Sequence, residues 1–274
     1  PYNAAPEALL LNFKSVVMTF TPDRAAQVAQ VQYDPPLAGV ALPATVALGA
    51  GECGDYRGAL KADFADPLRI RFGGNYPASC GEKVWPVAYA DPKTYAQRAV
   101  LGLWESLGGS LQGSVRLGTV PAALAAGKPA FVSTSAPLSE VVRDVNKFSN
   151  NVMAQQLFLT LGRAAYQPLP ANGAEPAELP TGSLAASRAV VLRWWRERLG
   201  NEEPPVLDNG SGLSRQERIT AQALGRLLQS AYVSPVMSEL MSSLPISGVD
   251  GTLRRVKGST SAHLKTGSLS NVVA

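Results

Sequence analysis

A short motif of hydroxyl and amide groups, Ser149-Asn150-Asn151, lies between two predicted helices in the second half of the chain. A serine hydroxyl held at a helix end can relay a proton, and an asparagine amide can hold a substrate carbonyl. Serine and asparagine are also preferred helix N-caps, so the tripeptide alone is explained as the start of a helix. Ser-x-Asn is too common a pattern to indicate chemistry by itself.

A second motif, Lys265-Thr266-Gly267-Ser268, lies in an apolar segment that predicts a β-strand. A lysine ammonium beside a site favours a substrate carboxylate and lowers nearby pKa values. Strand alternation places Thr266 and Ser268 on one face, where both hydroxyls can donate to one carboxylate. Gly267 allows a ligand to lie close along the strand edge. Alone, the triplet is also typical of a surface strand with a flexible glycine.

Two glycine-containing segments between these motifs are further candidates for site loops. Residues 207–215 read Leu-Asp-Asn-Gly-Ser-Gly-Leu-Ser-Arg, and residues 248–254 read Gly-Val-Asp-Gly-Thr-Leu-Arg. Both are also explained as turns, the first as a Gly-rich turn before a helix and the second as an Asp-Gly turn. The first lacks the Gly-Lys-Ser/Thr ending of a phosphate-binding loop.

Helical periodicity dominates the second half of the chain, and these helices must position both motifs. The apolar spacing predicts helices over 138–148, 151–161, 184–199 and 220–232. Gly162 and Gly200 are expected to end the second and third of them. Ser234-Pro235 is expected to cap a further helix, and residues 166–181, rich in Pro and Ala, predict a surface loop.

The first half is predicted to be rich in β-structure. Residues 9–20 form an apolar stretch of strand character, and residues 68–72 alternate apolar and charged side chains as a half-buried strand does. Asp91-Pro92 predicts the start of a helix. We place a domain boundary in the Ala-, Pro- and Ser-rich segment 120–137, which divides the chain into 1–130 and 131–274.

Composition limits the classes of function. The chain is 46% hydrophobic and 17% charged, as soluble globular proteins are. It contains no run of 18 or more apolar residues, so no transmembrane helix is predicted. The net charge is +4, and its densest group, Arg193, Arg196 and Arg198, is explained by a solvated helix face rather than by nucleic-acid binding. One histidine and two cysteines exclude most zinc sites built from those residues, and we expect no cofactor.

The order of the motifs carries more information than any one of them. Ser-Asn-Asn at 149–151, Asn-Gly-Ser-Gly-Leu-Ser-Arg at 209–215, Gly-Val-Asp-Gly-Thr-Leu at 248–253 and Leu-Lys-Thr-Gly-Ser-Leu at 264–269 follow one another. Together they resemble the class C low-molecular-mass penicillin-binding proteins, the D-alanyl-D-alanine carboxypeptidase/endopeptidase family. The resemblance implies an α+β multidomain fold. A penicillin-binding/β-lactamase-like transpeptidase domain, an antiparallel sheet with helices, would occupy 131–274, and an inserted, mostly β accessory region would occupy 1–130.

The resemblance also implies a reaction and its partners. In this family a serine attacks the D-Ala-D-Ala carbonyl of a peptidoglycan stem peptide or a D-amino-acid cross-link, water releases the acyl-enzyme, and β-lactams acylate the same serine. By that pattern Ser149 assists proton transfer to the leaving amine, and Asn151 holds the substrate amide. Lys265 sets the local potential and supports the Ser149 hydroxyl. The expected partners are therefore peptidoglycan peptides and β-lactam antibiotics, not nucleic acid.

The same pattern assigns the carboxylate-binding strand to Thr266, Gly267 and Ser268. Thr266 and Ser268 would bind the terminal carboxylate, and the Ser268 backbone N–H would form half of an oxyanion hole. The nucleophile motif of the family, Ser-x-x-Lys, is missing, since none of the lysines has a serine three positions before it. In this family the inserted region follows the nucleophile motif, so that motif is expected upstream of Pro1.

The resemblance implies export to the periplasm or cell envelope. The chain starts without an initiator Met or a signal peptide and stops within a predicted strand, so both ends are expected to be cuts in a longer protein. In an exported protein the loop cysteines Cys53 and Cys80 are expected to form a disulfide, whereas in a cytosolic protein both would be free thiols.

Two other functions remain open from the sequence. One is a non-catalytic relative that binds or organises peptidoglycan and truly lacks the nucleophile. The other is a β-lactamase or esterase of the same fold, although the 207–215 segment and the inserted β-rich region argue against it.

Overall fold

The chain folds as two units, Glu7–Phe131 and Val132–Ala274. A computed structural model describes residues 4–121, 124, 127–129, 131–165, 182–257 and 262–270. The predicted loop 166–181 and the two chain ends lie outside these residues. The division between the units falls between Phe131 and Val132.

Seven strands and two α-helices are found in the described part of the first unit. The strands are β1 (Ser15–Asp23), β2 (Val28–Asp34), β3 (Thr45–Gly49), β4 (Ala62–Asp63), β5 (Arg71–Phe72), β6 (Tyr76–Pro77) and β7 (Lys83–Ala88). The helices are α1 (Tyr56–Leu60) and α2 (Tyr95–Ser106). Five strands form one sheet in the order β6-β3-β2-β1-β7, which is antiparallel except between β3 and β6. β4 and β5 form a separate antiparallel pair.

The core of this unit lies on one face of the sheet. Val16, Met18 and Phe20 alternate along β1 and are buried, as the period of two along a strand requires. Tyr95 and Ala99 of α2 belong to the same buried cluster. The Tyr95 hydroxyl donates to the Ser15 carbonyl at 2.7 Å, so this buried phenol has its hydrogen-bond partner, and burial raises the pKa of Tyr95. Cys53 and Cys80 form a disulfide that spans 27 residues.

Three sets of bounds predicted in this unit are wrong. Residues 9–20 are predicted to have strand character, but Asn12–Lys14 form a 3₁₀ turn, and β1 begins at Ser15 and continues to Asp23. The helix expected at Asp91-Pro92 begins at Tyr95, because the Asp91 carboxylate accepts hydrogen bonds from the Lys93 N–H and the Thr94 hydroxyl and forms a turn before the helix. The strand expected over 68–72 is reduced to β5, since a turn at Asp66 precedes it. The Asp66 carboxylate accepts the Leu68 N–H and pairs with Arg69.

Five helices form the described framework of the second unit. They are α3 (Leu138–Phe148), α4 (Asn151–Ala165), α5 (Leu184–Leu199), α6 (Ala221–Tyr232) and α7 (Met237–Ser243). The hydroxyls of Ser183 and Thr220 accept backbone N–H groups at the starts of α5 and α6, as N-cap residues do. The helices predicted over 138–148 and 184–199 are present with those bounds. No helix in the described ranges combines the length and the apolar character needed to cross a membrane.

Gly162 does not end α4, which continues to Ala165. A Cβ added at this position would lie 2.5 Å from the Ser187 hydroxyl and 2.7 Å from the Ser187 backbone nitrogen on α5. The glycine is therefore explained by close packing of two helices, and the prediction that it stops the helix is wrong.

The strand predicted around Lys265 is also not formed. Residues 262–264 pair with 245–247 through one bridge, Ile246 with His263, and through hydrogen bonds from Ser247 to Ala262 and from Leu264 to Pro245. The pairing does not extend to Lys265, because the residues before Leu244 belong to α7, which ends at Ser243. None of the described residues pairs with 265–268 as a strand.

Candidate active site

Ser149 occupies the turn that joins α3 to α4. It is the residue after α3 and has left-handed backbone angles, φ 50° and ψ 49°. This conformation costs a non-glycine residue about 1 kcal/mol or more, and residues of this kind cluster at functional sites. The left-handed residue ends α3 and allows α4 to start two residues later. The half-buried serine is thereby fixed at a junction of two helices.

The two asparagines that follow have different surroundings. The Asn150 side-chain oxygen accepts the Met153 N–H at 3.1 Å, so Asn150 is the residue that caps α4. The Asn151 amide makes no hydrogen bond to any described residue and is half-buried at the first position of α4. Helix capping therefore explains the middle residue of the motif and leaves Asn151 available to a ligand.

Lys265 contacts Ser149 directly. Its ammonium donates to the Ser149 hydroxyl oxygen at 2.6 Å and to the Thr266 carbonyl at 2.6 Å. Lys265 is exposed as a whole residue, but the atoms packed near its ammonium remove part of the water, and this desolvation lowers its pKa below the ordinary lysine value. A hydroxyl that accepts from an ammonium keeps its own proton for donation, so this pair can relay a proton.

The residues that follow Lys265 are exposed. The Thr266 hydroxyl lies 3.0 Å from the Thr252 hydroxyl. Gly267 and Ser268 are exposed, and neither the hydroxyl nor the backbone N–H of Ser268 has a hydrogen-bond partner in the described part of the chain. Ser268 therefore presents two donors that a carboxylate or a carbonyl oxygen can accept.

An ion pair between a buried lysine and a partly exposed aspartate lies next to the Ser149 turn. Lys147, in the last turn of α3, places its ammonium 2.6 Å from a carboxylate oxygen of Asp250. This contact, followed by the hydrogen bond from the Ile246 N–H, lowers the pKa of the Asp250 carboxyl. The sequence around Asp250 is also explained by an Asp-Gly turn, and Lys147 is not among the site residues predicted from the sequence. A lysine in the polar half of an amphipathic pattern gives no local signal that it is buried.

The segment 207–215 forms a loop that closes on itself. The Asn209 side-chain oxygen accepts the N–H and the hydroxyl of Ser211, at 2.9 and 2.7 Å. Arg188 of α5 binds both the carbonyl and the carboxylate of Asp208. Gln155, one turn along α4 from Asn151, contacts the Ser211 hydroxyl at 3.5 Å. The predicted Gly-rich turn is therefore present and is attached to the helix that carries Asn151.

The structure thus brings Ser149, Lys265 and Thr266 together and places Asn151 two residues from Ser149. The arrangement offers an ammonium in contact with a hydroxyl, together with donors on Asn151 and Ser268 that have no hydrogen-bond partner among the described residues. These groups suit a reaction in which a proton is moved and an anionic substrate is held. They do not include a serine with an adjacent lysine base of the Ser-x-x-Lys type.

Comparison with known proteins gives the same family as the motifs. The profile of the D-Ala-D-Ala carboxypeptidase 3 (S13) family matches residues 1–274. The D-alanyl-D-alanine carboxypeptidase of Actinomadura sp. (strain R39) is 30% identical over 215 residues, which are 75% of this chain and 37% of that protein. D-alanyl-D-alanine carboxypeptidase DacB of Haemophilus influenzae is 31% identical over 144 residues, 50% of this chain and 28% of that protein. The chain spans about a third of these relatives.

Solved structures show the same fold. Penicillin binding protein 4 (dacB) from Haemophilus influenzae, in a complex with a β-lactam, aligns with a TM-score of 0.53 at 18% identity over 89% of this chain and 53% of that one. A second structure of that protein aligns with a TM-score of 0.55 at 18% identity over 93% of this chain and 52% of that one. The predicted α+β fold of the penicillin-binding type is confirmed. The chain is therefore a member of the D-Ala-D-Ala carboxypeptidase 3 (S13) family, within the low-molecular-mass penicillin-binding proteins.

Proposed function

We propose that this chain supplies part of the active site of a serine-type D-Ala-D-Ala carboxypeptidase/endopeptidase that acts on peptidoglycan stem peptides and is acylated by β-lactams. The observation that carries the proposal is the 2.6 Å contact between the Lys265 ammonium and the Ser149 hydroxyl. Family membership supports the reaction class.

In this reaction the oxygen of a nucleophilic serine forms a bond to the carbonyl carbon of D-Ala-D-Ala, and the carbon–nitrogen bond breaks. The nucleophilic serine loses its proton when it attacks, and the Ser149 hydroxyl passes this proton to the leaving amine, while Lys265 holds that hydroxyl in place. Asn151 binds the amide of the substrate through its side chain, which has no hydrogen-bond partner within the described ranges. Water then adds to the ester and releases the serine.

The segment after Lys265 binds the substrate's charged end. Thr266 and Ser268 donate their hydroxyls to the terminal carboxylate, and Gly267 allows the peptide to lie close to the backbone. The backbone N–H of Ser268, to which the described part of the chain offers no acceptor, supplies one donor for the carbonyl oxygen on which negative charge develops. The positive charge of Lys265 favours both anions.

A Ser-x-x-Lys segment that this sequence does not contain would provide the nucleophile. We expect the 274-residue chain alone to take up no fluorescent penicillin covalently, and a chain that carries the Ser-x-x-Lys segment ahead of residue 1 to be labelled. Labelling of the 274-residue chain would contradict the placement of the nucleophile. A longer chain with an intact Ser-x-x-Lys that stays unlabelled would favour the non-catalytic peptidoglycan-binding function.

We further propose that the protein works in the periplasm or cell envelope. The Cys53–Cys80 disulfide supports this location, because structural disulfides persist in oxidising compartments and are rare in the cytosol. Alkylation of the protein in its native cells with a thiol reagent, followed by mass spectrometry, should find both cysteines unmodified. Alkylation of both would contradict the proposed location.

A further inference from the structure

The ion pair between Lys147 and Asp250 joins the end of α3, next to Ser149, to residues 244–252. Lys147 lies two residues before Ser149, and its side chain is only 10% exposed. Its ammonium donates to Asp250 at 2.6 Å and to the Leu244 carbonyl at 2.7 Å. A buried ammonium with two acceptors is satisfied in this position, whereas loss of either acceptor would leave it partly unpaired.

Asp250 shapes the turn that receives Lys147. Its second carboxylate oxygen accepts the Ile246 N–H at 2.8 Å. The next residue, Gly251, has φ +55°, and a Cβ there would lie 2.5 Å from the Lys147 carbonyl oxygen. The turn is therefore packed against the end of α3 by backbone contact as well as by charge.

The same segment, residues 244–252, reaches the chain next to Lys265. The Pro245 carbonyl accepts the Leu264 N–H at 2.9 Å, one residue before Lys265. The Thr252 hydroxyl lies 3.0 Å from the Thr266 hydroxyl, one residue after it. Residues 244–252 thus contact both the end of α3 and the two neighbours of Lys265.

We propose that Lys147 and Asp250 are positioning residues that hold the Lys265 ammonium within hydrogen-bonding distance of Ser149. Lysine has a flexible four-carbon stem, so its ammonium stays at one place only if the backbone at both neighbours is fixed. Within the described residues no carboxylate lies within ion-pair distance of the Lys265 ammonium, so its location depends on this backbone support. That this positioning serves catalysis rests on the proposed function, but the location of the Lys265 ammonium can be measured whether or not that function is correct.

The test is the pKa of Lys265 in Asp250→Asn, measured by NMR on the 274-residue chain with 13Cε-labelled lysine, with the signal assigned by its loss in Lys265→Arg. If Asp250 positions Lys265, the ammonium leaves its partly desolvated location in the variant and its pKa rises towards the ordinary lysine value. If Asp250 acts only by its charge, loss of a negative charge disfavours the ammonium and the pKa falls. The two explanations therefore predict opposite signs, and an unchanged or lowered pKa in a folded variant overturns the proposal.

Glu202→Gln is the matched control, because Glu202 pairs with Arg226 at 3.2 Å in the same unit and lies outside the proposed site. It should leave the pKa of Lys265 unchanged. If Asp250→Asn does not fold, Thr252→Val decides the question, since it removes the contact to Thr266 without a change of charge. The pKa of Lys265 should rise in Thr252→Val, as it is expected to in Asp250→Asn, and an unchanged pKa overturns the proposal.

A second arm uses the chain that carries the Ser-x-x-Lys segment. There Asp250→Asn should slow acylation by fluorescent penicillin about tenfold, because misplacement of a catalytic group costs rate. A wild-type chain that is not labelled contradicts the proposed function. In that case the pKa of Lys265 in Asp250→Asn still tests the positioning. A labelled wild type with an equally fast Asp250→Asn variant contradicts the positioning alone.

Discussion

The ammonium of Lys265 lies 2.6 Å from the hydroxyl of Ser149, although 116 residues separate them along the chain. In the proposed reaction this contact orients the hydroxyl that passes a proton to the leaving group. It joins the two motifs that are weak when each is considered alone, Ser-x-Asn and Lys-Thr-Gly. The experiments below use a chain that carries the Ser-x-x-Lys segment wherever labelling is measured.

Replacement of Lys265 by methionine removes the hydrogen bond to the Ser149 hydroxyl and the positive charge that attracts the substrate carboxylate. We expect the rate of covalent penicillin labelling to fall by about 100-fold, the size of a typical proton-transfer or electrostatic contribution. Lys257→Met is the control, because it removes an exposed lysine of the same segment of chain and should label at the wild-type rate. Equal rates for the two variants would contradict the assigned role.

The pH dependence of labelling should report the ionisation of Lys265. Desolvation disfavours the charged ammonium, so the residue loses its proton below the ordinary pKa of 10.5. Since the protonated form donates to Ser149, labelling should decline as pH rises through this lowered pKa. In Lys265→Arg the guanidinium stays charged, so the alkaline decline should disappear even if the rate is lower. An identical decline in both proteins would show that another group titrates.

Alanine variants of the neighbouring residues Asn150 and Asn151 should distinguish a role in helix capping from a role in substrate binding. Asn150→Ala removes the cap of α4 and should lower the free energy of unfolding by about 1 kcal/mol. Asn151→Ala removes an amide without a described partner, so we expect a change in stability of less than about 0.5 kcal/mol. Denaturant unfolding measures both values.

Labelling should show the reverse order of effects. Asn151→Ala should slow acylation more than Asn150→Ala does, since only Asn151 is proposed to hold the substrate amide. A large loss of stability in Asn151→Ala with normal labelling would contradict this assignment.

Two helical glycines should respond oppositely to alanine. Gly162→Ala forces a methyl group against the backbone of Ser187 and should destabilise the protein by about 1–3 kcal/mol. Gly225 in α6 has open space around its Cβ position, so Gly225→Ala should stabilise by about 0.5–1 kcal/mol. Thermal unfolding of both variants tests the explanation of Gly162, and a stabilised Gly162→Ala would refute it.

Local patterns predicted much of the helical framework. The bounds of α3 and α5 follow from apolar periodicity and end signals, which act within a few residues and therefore can be read from the sequence. The order of the four motifs predicted the family because this order is visible in the sequence and does not require knowledge of the folded structure. The expectation for Gly162 failed because a glycine that permits helix packing has the same local sequence signal as one that ends a helix.

The sequence by itself determined the bounds of α3 and α5, the motif order and the family to which the chain belongs. Only the tertiary structure decided that Lys147 is buried against Asp250 and that Lys265 contacts Ser149. The physical reason is distance along the chain. Capping and periodicity depend on neighbours in sequence, whereas the contacts from Lys147 to Asp250 and from Lys265 to Ser149 join residues more than one hundred positions apart. Such contacts form only when helices and turns pack, and no local pattern encodes them.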